Sequence, residues 1–76
     1  MRDLVEFLCR ELVDEPDQVV VTESRDDRGV LLRVRVADGE LGKVIGRGGR
    51  TAKAIRTVVR ASAMRQGSHA AVDFDD

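Results

Sequence analysis

The residues best placed to do chemistry are Val44-Ile45-Gly46-Arg47-Gly48-Gly49-Arg50-Thr51-Ala52-Lys53-Ala54-Ile55-Arg56, which set three glycines among basic side chains. Gly46 and Gly49 carry nothing that would hold a sugar–phosphate chain at a distance, and both can reach backbone angles closed to other residues. Apolar helical spacing resumes at Ala52 and Ile55, so a helix is expected to start at about Gly49. Its unpaired amides and positive dipole end then face whatever lies over the loop, and a phosphate is favoured there. Arg47, with Lys43, Arg50 and Lys53 nearby, adds mobile positive charge that demands no particular base. The chemistry on offer is anion binding, with affinity ahead of sequence selection.

Bond-making chemistry has little to work with. The chain holds one cysteine, Cys9, and one histidine, His69, with no nucleophile–base pair and no zinc spacing. Cys9 falls within an apolar helical pattern and reads as a small buried hydrophobe; His69 adjoins a turn and reads as a solvated side chain. Thr51 stands where a dinucleotide fingerprint counted from Gly46 needs its third glycine, and no Gly-Lys-Ser/Thr follows to make a P-loop. Arg47-Gly48-Gly49 spells a lone Arg-Gly-Gly unit, but within structured patterning. No enzyme, metal or cofactor is expected.

The charge is balanced overall, at −1, but segregated along the chain. No acidic residue occurs between Leu41 and Val72, where Lys43, Arg47, Arg50, Lys53, Arg56, Arg60 and Arg65 lie; the remainder holds all 14 acids against the other six bases. Such a block suits a polyanionic partner as well as it suits a solvated helix face.

The elements that must position these residues can be read from periodicity. Asp3 and Glu6 resemble a capping box opening a helix over about 3–14, with Leu4, Val5, Leu8, Cys9, Leu12 and Val13 as its stripe; Asp14-Glu15-Pro16 ends it. Val19-Val20-Val21-Thr22 predicts a strand over 18–24, and Arg25-Asp26-Asp27-Arg28-Gly29 a turn. Val30, Leu32, Val34 and Val36 alternate as a strand buried on one face. Asp38 is expected to cap a two-turn helix carrying Leu41, Val44 and Ile45, with Gly46 ending it in a left-handed conformation. A longer amphipathic helix follows to about Arg65, broken by Gln66-Gly67-Ser68, and Ala70, Val72 and Phe74 alternate as a last strand. The order is α-β-β-α-α-β in one α+β domain, 1–76. A chain this short buries only about 60% of its unfolded surface, so one modest core is the limit. Residues 1–13 mix charges with apolar positions and make neither a signal peptide nor a membrane span, and a lone cysteine fits a reducing, cytoplasmic setting.

The Gly46-Arg47-Gly48-Gly49 tetrad between two helical patterns, with Ile45, Ala52 and Ile55 at apolar positions around it, resembles a KH domain. That family's Gly-x-x-Gly loop clamps about four backbone nucleotides of a single strand. The element order matches the type II topology, a three-stranded sheet packed by three helices. The opening RDLVEFLCRELVDEPDQVVV and the run GKVIGRGGRTAKAIRTVVRA are similar to the small bacterial single-KH proteins of the KhpA type. The resemblance implies a non-enzymatic protein binding single-stranded RNA through Lys43, Ile45, Gly46, Arg47, Gly48, Gly49, Arg50, Ala52, Lys53, Ile55 and Arg56, acting as a post-transcriptional regulator or RNA chaperone. It also implies a homodimer and a heterodimer with a larger Jag-type KH protein. Ala52 departs from the larger aliphatic residue usual there, which implies a wider or shallower base groove and weaker base selectivity. With only Phe7 and Phe74, the chain lacks the stacking aromatics of an RNA-recognition-motif sheet. Two alternatives stay open: a tight helix connection with no ligand, and a protein-interaction module whose loop region serves association.

Overall fold

Alternation at Val30, Leu32 and Val34 produces the central strand β2 (Gly29–Arg35) of the computed structural model, which describes residues 1–75. Asp76, the last residue of the expected domain, lies outside the described residues. Leu32 and Val34 are fully buried, whereas Arg33 and Arg35 project from the opposite face. Strand β1 (Val20–Asp26) pairs antiparallel with β2, setting Val20 opposite Arg35; β3 (Ala70–Asp75) pairs parallel on the other side, setting Val30 opposite Ala70. The sheet order is β1-β2-β3. The hairpin turn is tighter than expected. Asp26 stays in the strand, and its carboxylate accepts the amides of Arg28 (2.8 Å) and Gly29 (3.2 Å), so Asp27 and Arg28 suffice to reverse the chain.

Helix α1 (Arg2–Leu12) begins earlier than the capping-box reading places it. Asp3 lies inside the first turn and caps nothing, while Glu6 pairs with Arg2 (2.9 Å) and Arg10 (3.3 Å) along the helix. A 3-10 turn at Pro16–Gln18 leads into β1. Helix α2 (Leu41–Ile45) is shorter than two turns, and Glu40 rather than Asp38 occupies its capping position. Glu40 is 7% exposed, and its carboxylate reaches back to the amides of Asp14 (2.7 Å) and Glu15 (3.3 Å). That contact anchors the start of α2 to the end of α1, a long-range bond that local capping rules do not contain.

Helix α3 (Arg50–Arg65) follows α2 after a single 3-10 turn at Arg47–Gly49. The pair forms one bent helical unit, so the sheet is packed by two helical bodies rather than by three separate helices. The core lies on one sheet face, where Val5 and Cys9 of α1, Val44 of α2 and Ile55 and Val59 of α3 meet Val21, Leu32, Val34 and Val72. Helices α2 and α3 both pack on β3, α1 on β1. No described helix is long and apolar enough to cross a membrane.

Candidate nucleic-acid interface

The loop is built from three glycines in three distinct situations. Gly46 ends α2 at φ 79°, ψ 171°, a region of positive φ essentially restricted to glycine, and not the left-handed helical region expected of it. A side-chain carbon there would strike the Thr51 hydroxyl and stand 3.0 Å from the Thr51 amide nitrogen. Gly48 (φ 65°, ψ 17°) and Gly49 (φ 76°, ψ 13°) are both left-handed, and the space a β-carbon would occupy at either is open to 4 Å. The first glycine is thus required by the fold, while the other two leave an unobstructed backbone surface. Gly49 donates to the Gly46 carbonyl (3.1 Å) and Arg50 to that of Arg47, which hold the turn. Among the described residues, no side chain caps the N-terminus of α3 and no acidic residue lies in its first turn, so none of them neutralises its positive end.

Basic residues divide by their partners. Arg2, Arg10, Arg25, Arg33, Arg35 and Lys43 are all in ion pairs. Among the described residues, Arg28 at the hairpin turn and Arg47, Arg50, Lys53, Arg56, Arg60 and Arg65 have no carboxylate partner, and Arg47, Arg50 and Lys53 are exposed beside the loop. Lys43 points the other way. Its ammonium pairs with Asp14 and, at 3.5 Å, with Glu40, and the bond to Asp14 raises its pKa. Arg56 is also engaged: its Nε donates to the Val72 carbonyl (3.2 Å) and its guanidinium lies 5.1 Å from the centre of the Phe74 ring. The structure therefore gathers Gly46 to Gly49, Arg47, Arg50 and Lys53, turns Lys43 toward α1 and lays Arg56 along β3.

The apolar candidates separate in the same way. Ala52 and Ile55 are buried under α3, and Ile45 is half-buried beside the loop, so only Ile45 offers appreciable surface there. Half-buried Phe74 and the Arg56 stacked on it form the β3 side. Cys9 is buried, and burial pushes its thiol up to about 11. His69 is exposed, and its backbone carbonyl accepts the Val30 amide at 2.9 Å. Among the described residues no group of acids, histidine or cysteine is placed to hold a metal ion.

One surface is not evident from the linear pattern. The stripe expected of the first helix is split, with Val5, Cys9 and Val13 inside, Leu8 half-buried and Leu4 and Leu12 exposed; Phe7, outside that stripe, is 60% exposed. Between α1 and α3 lies an almost wholly apolar groove of about 350 Å³ lined by Leu8, Leu12, Ala54, Ile55 and Val58, with Thr51 and Glu11 at its edge. Six apolar positions in one eleven-residue helix exceed what a helix lying on a sheet can bury, and that excess is the sequence signal for the surface.

Comparison with known proteins agrees with this architecture. The family model described as KhpA/KhpB, KH domain, matches residues 2–74. The RNA-binding protein KhpA of Clostridium acetobutylicum is 42% identical over 97% of this chain and 99% of its own length. That of Halalkalibacterium halodurans is 43% identical over the whole of both chains, and that of Streptomyces coelicolor 51% identical over 80% of this chain and 77% of its own. No solved structure gives a significant match. With a family match spanning nearly the full chain, and a three-stranded sheet packed by a bent helical unit whose two halves are joined by a Gly-x-x-Gly loop, this protein belongs to the KhpA/KhpB family of KH-domain proteins.

Proposed function

We propose that this chain is a non-enzymatic RNA-binding protein that grips the backbone of single-stranded RNA at Gly46-Arg47-Gly48-Gly49 and acts after transcription, in the cytoplasm, as a regulator or RNA chaperone. The observation carrying this reading is the pair of left-handed glycines, Gly48 and Gly49, with open space above them, leading into an uncapped helix flanked by bases without carboxylate partners. The name RNA-binding protein, borne by the relatives, supports it. In the site so assigned, amides and glycine surface receive phosphates, Arg47, Arg50 and Lys53 supply charge, and Ile45 faces an unstacked base. The test is binding of a short single-stranded RNA and of its duplex at several salt concentrations. If two to four phosphates are neutralised, log K for the single strand falls against log salt with a slope of about −1.4 to −2.8. Preference for the duplex at matched salt overturns the reading, because a paired strand cannot place its bases beside the loop.

A second reading concerns association and is favoured by the exposed apolar flank of α1 and α3. A second copy of this chain covers Leu4, Phe7, Leu12 and Val58, giving a homodimer at micromolar concentration. Burial of such a face stabilises a small chain whose single cysteine can close no internal disulfide to compensate for its modest core. A larger KH partner of the Jag type would use the same flank in a heterodimer, consistent with a family description that pairs two names.

A further inference from the structure

The RNA reading accounts for the loop and leaves the far half of the basic helix without a role. Helix α3 carries three stripes. Ala52, Ile55, Val59 and Ala63 face the core; Ala54 and Val58 face the α1 groove; Lys53, Arg56 and Arg60, spaced i, i+3, i+7, form the third. The bond from Arg56 Nε to the Val72 carbonyl fixes this third stripe on the β3 side.

Among the described residues, no acidic side chain pairs with this stripe. Asp73 and Asp75 alternate onto the open face of the sheet, where they pair with Arg33 (3.6 Å) and Arg35 (3.4 Å), while Val72 and Phe74 point toward the helices. Arg60 is exposed without a carboxylate partner, and Arg56 presents a guanidinium plane already stacked on Phe74, a surface on which a base can lie.

Resting on the RNA reading above, we infer that the bound strand does not end at the loop but continues along the Lys53, Arg56 and Arg60 flank of α3, beside the β3 edge. From Gly49 to Arg60 the helix rises about 16 Å, which at about 3.4 Å per stacked nucleotide accommodates four or five nucleotides beyond the four or so at the loop. The full site therefore takes about eight nucleotides, and Arg60 contacts a phosphate of the distal half.

The experiment measures affinities for oligouridylates of about 4, 6, 8 and 12 nucleotides, with the shortest read by competition. The proteins are the wild type, Arg60→Ala, Arg60→Lys and Arg65→Ala. Arg65 serves as control because it has the same charge on the same helix but lies off the stripe. Arg60→Ala should lower affinity for the two longer RNAs about three- to fivefold, the scale of one exposed charge contact, while leaving the shortest within error. Arg60→Lys should restore most of the loss, and Arg65→Ala should change little at any length. Equal losses for Arg60→Ala and Arg65→Ala, equal losses at every length, or no loss at all would each overturn the extended track. Failure of the loop reading is distinguishable, since it would appear as undiminished binding of every length by a loop variant.

Discussion

Gly46 and Thr51 meet across the loop so closely that a β-carbon on Gly46 would collide with the Thr51 hydroxyl. The contact couples the end of α2 to the first turn of α3 and sets the angle between them. Substituting Gly46→Ala combines strain at φ 79°, ψ 171° with overpacking against Thr51, each about 1–3 kcal/mol. A loss of at least about 2 kcal/mol is expected, lowering Tm by roughly 10 °C for a domain of this size. Gly48→Ala, left-handed but in open space, should cost about 1 kcal/mol. Thermal unfolding of the two variants checks the order, and equal costs would remove Thr51 from the explanation.

Cys9 makes a separate test of the core. Burial raises its thiol from 9.0 to about 11, so the folded state holds the neutral form more tightly than the unfolded state does. The associated stability is complete below pH 9 and is lost as pH rises toward 11, by about 2 kcal/mol at the upper end. Denaturant unfolding of wild type and Cys9→Ala at pH 8.5, 9.5 and 10.5 should show the wild type losing stability relative to the variant. Parallel losses would contradict the burial of the thiol.

Much of this architecture is legible in the sequence because it rests on short-range patterns. The strand Gly29–Arg35 follows from the period-two alternation of Val30, Leu32 and Val34, and the bend from glycines interrupting a helical run. Where partners are distant in sequence, the linear pattern gives no direction. Asp38 has the chemistry of a cap, but Glu40 is drawn to the Asp14 and Glu15 amides, and α2 starts later. Lys43 and Arg56 are near the loop in sequence, yet Asp14 and Val72, which decide where they point, lie 29 and 16 positions away. The apolar stripe of α1 looks like core in the sequence, yet Leu4 and Leu12 of that stripe are exposed, because only one side of the helix meets the rest of the fold.

The apolar flank and the basic flank lie on opposite sides of α3, so association and RNA binding should be separable. Phe7→Gln with Val58→Gln removes apolar surface at positions 60% and 46% exposed without changing charge. Sedimentation over a hundredfold concentration range should show the wild type dimerising and the double variant monomeric, with affinity for a short RNA unchanged within about twofold, a difference of roughly 0.4 kcal/mol. Competition between RNA and wild-type self-association would place the dimer at the loop instead. A wild type that is monomeric throughout would refute the dimer and leave the RNA reading intact.

The central claim is that the loop itself holds the RNA backbone. Arg47→Asp with Gly48→Asp puts two carboxylates where phosphate should sit, and Gly67→Asp imposes a similar strain (φ 71°, open space) at the far end of α3. Measured side by side on one short single-stranded RNA, with folding checked by circular dichroism, the double variant should lose at least about tenfold in affinity, or 1.4 kcal/mol, while Gly67→Asp binds as the wild type does. A folded double variant that keeps wild-type affinity would contradict the account.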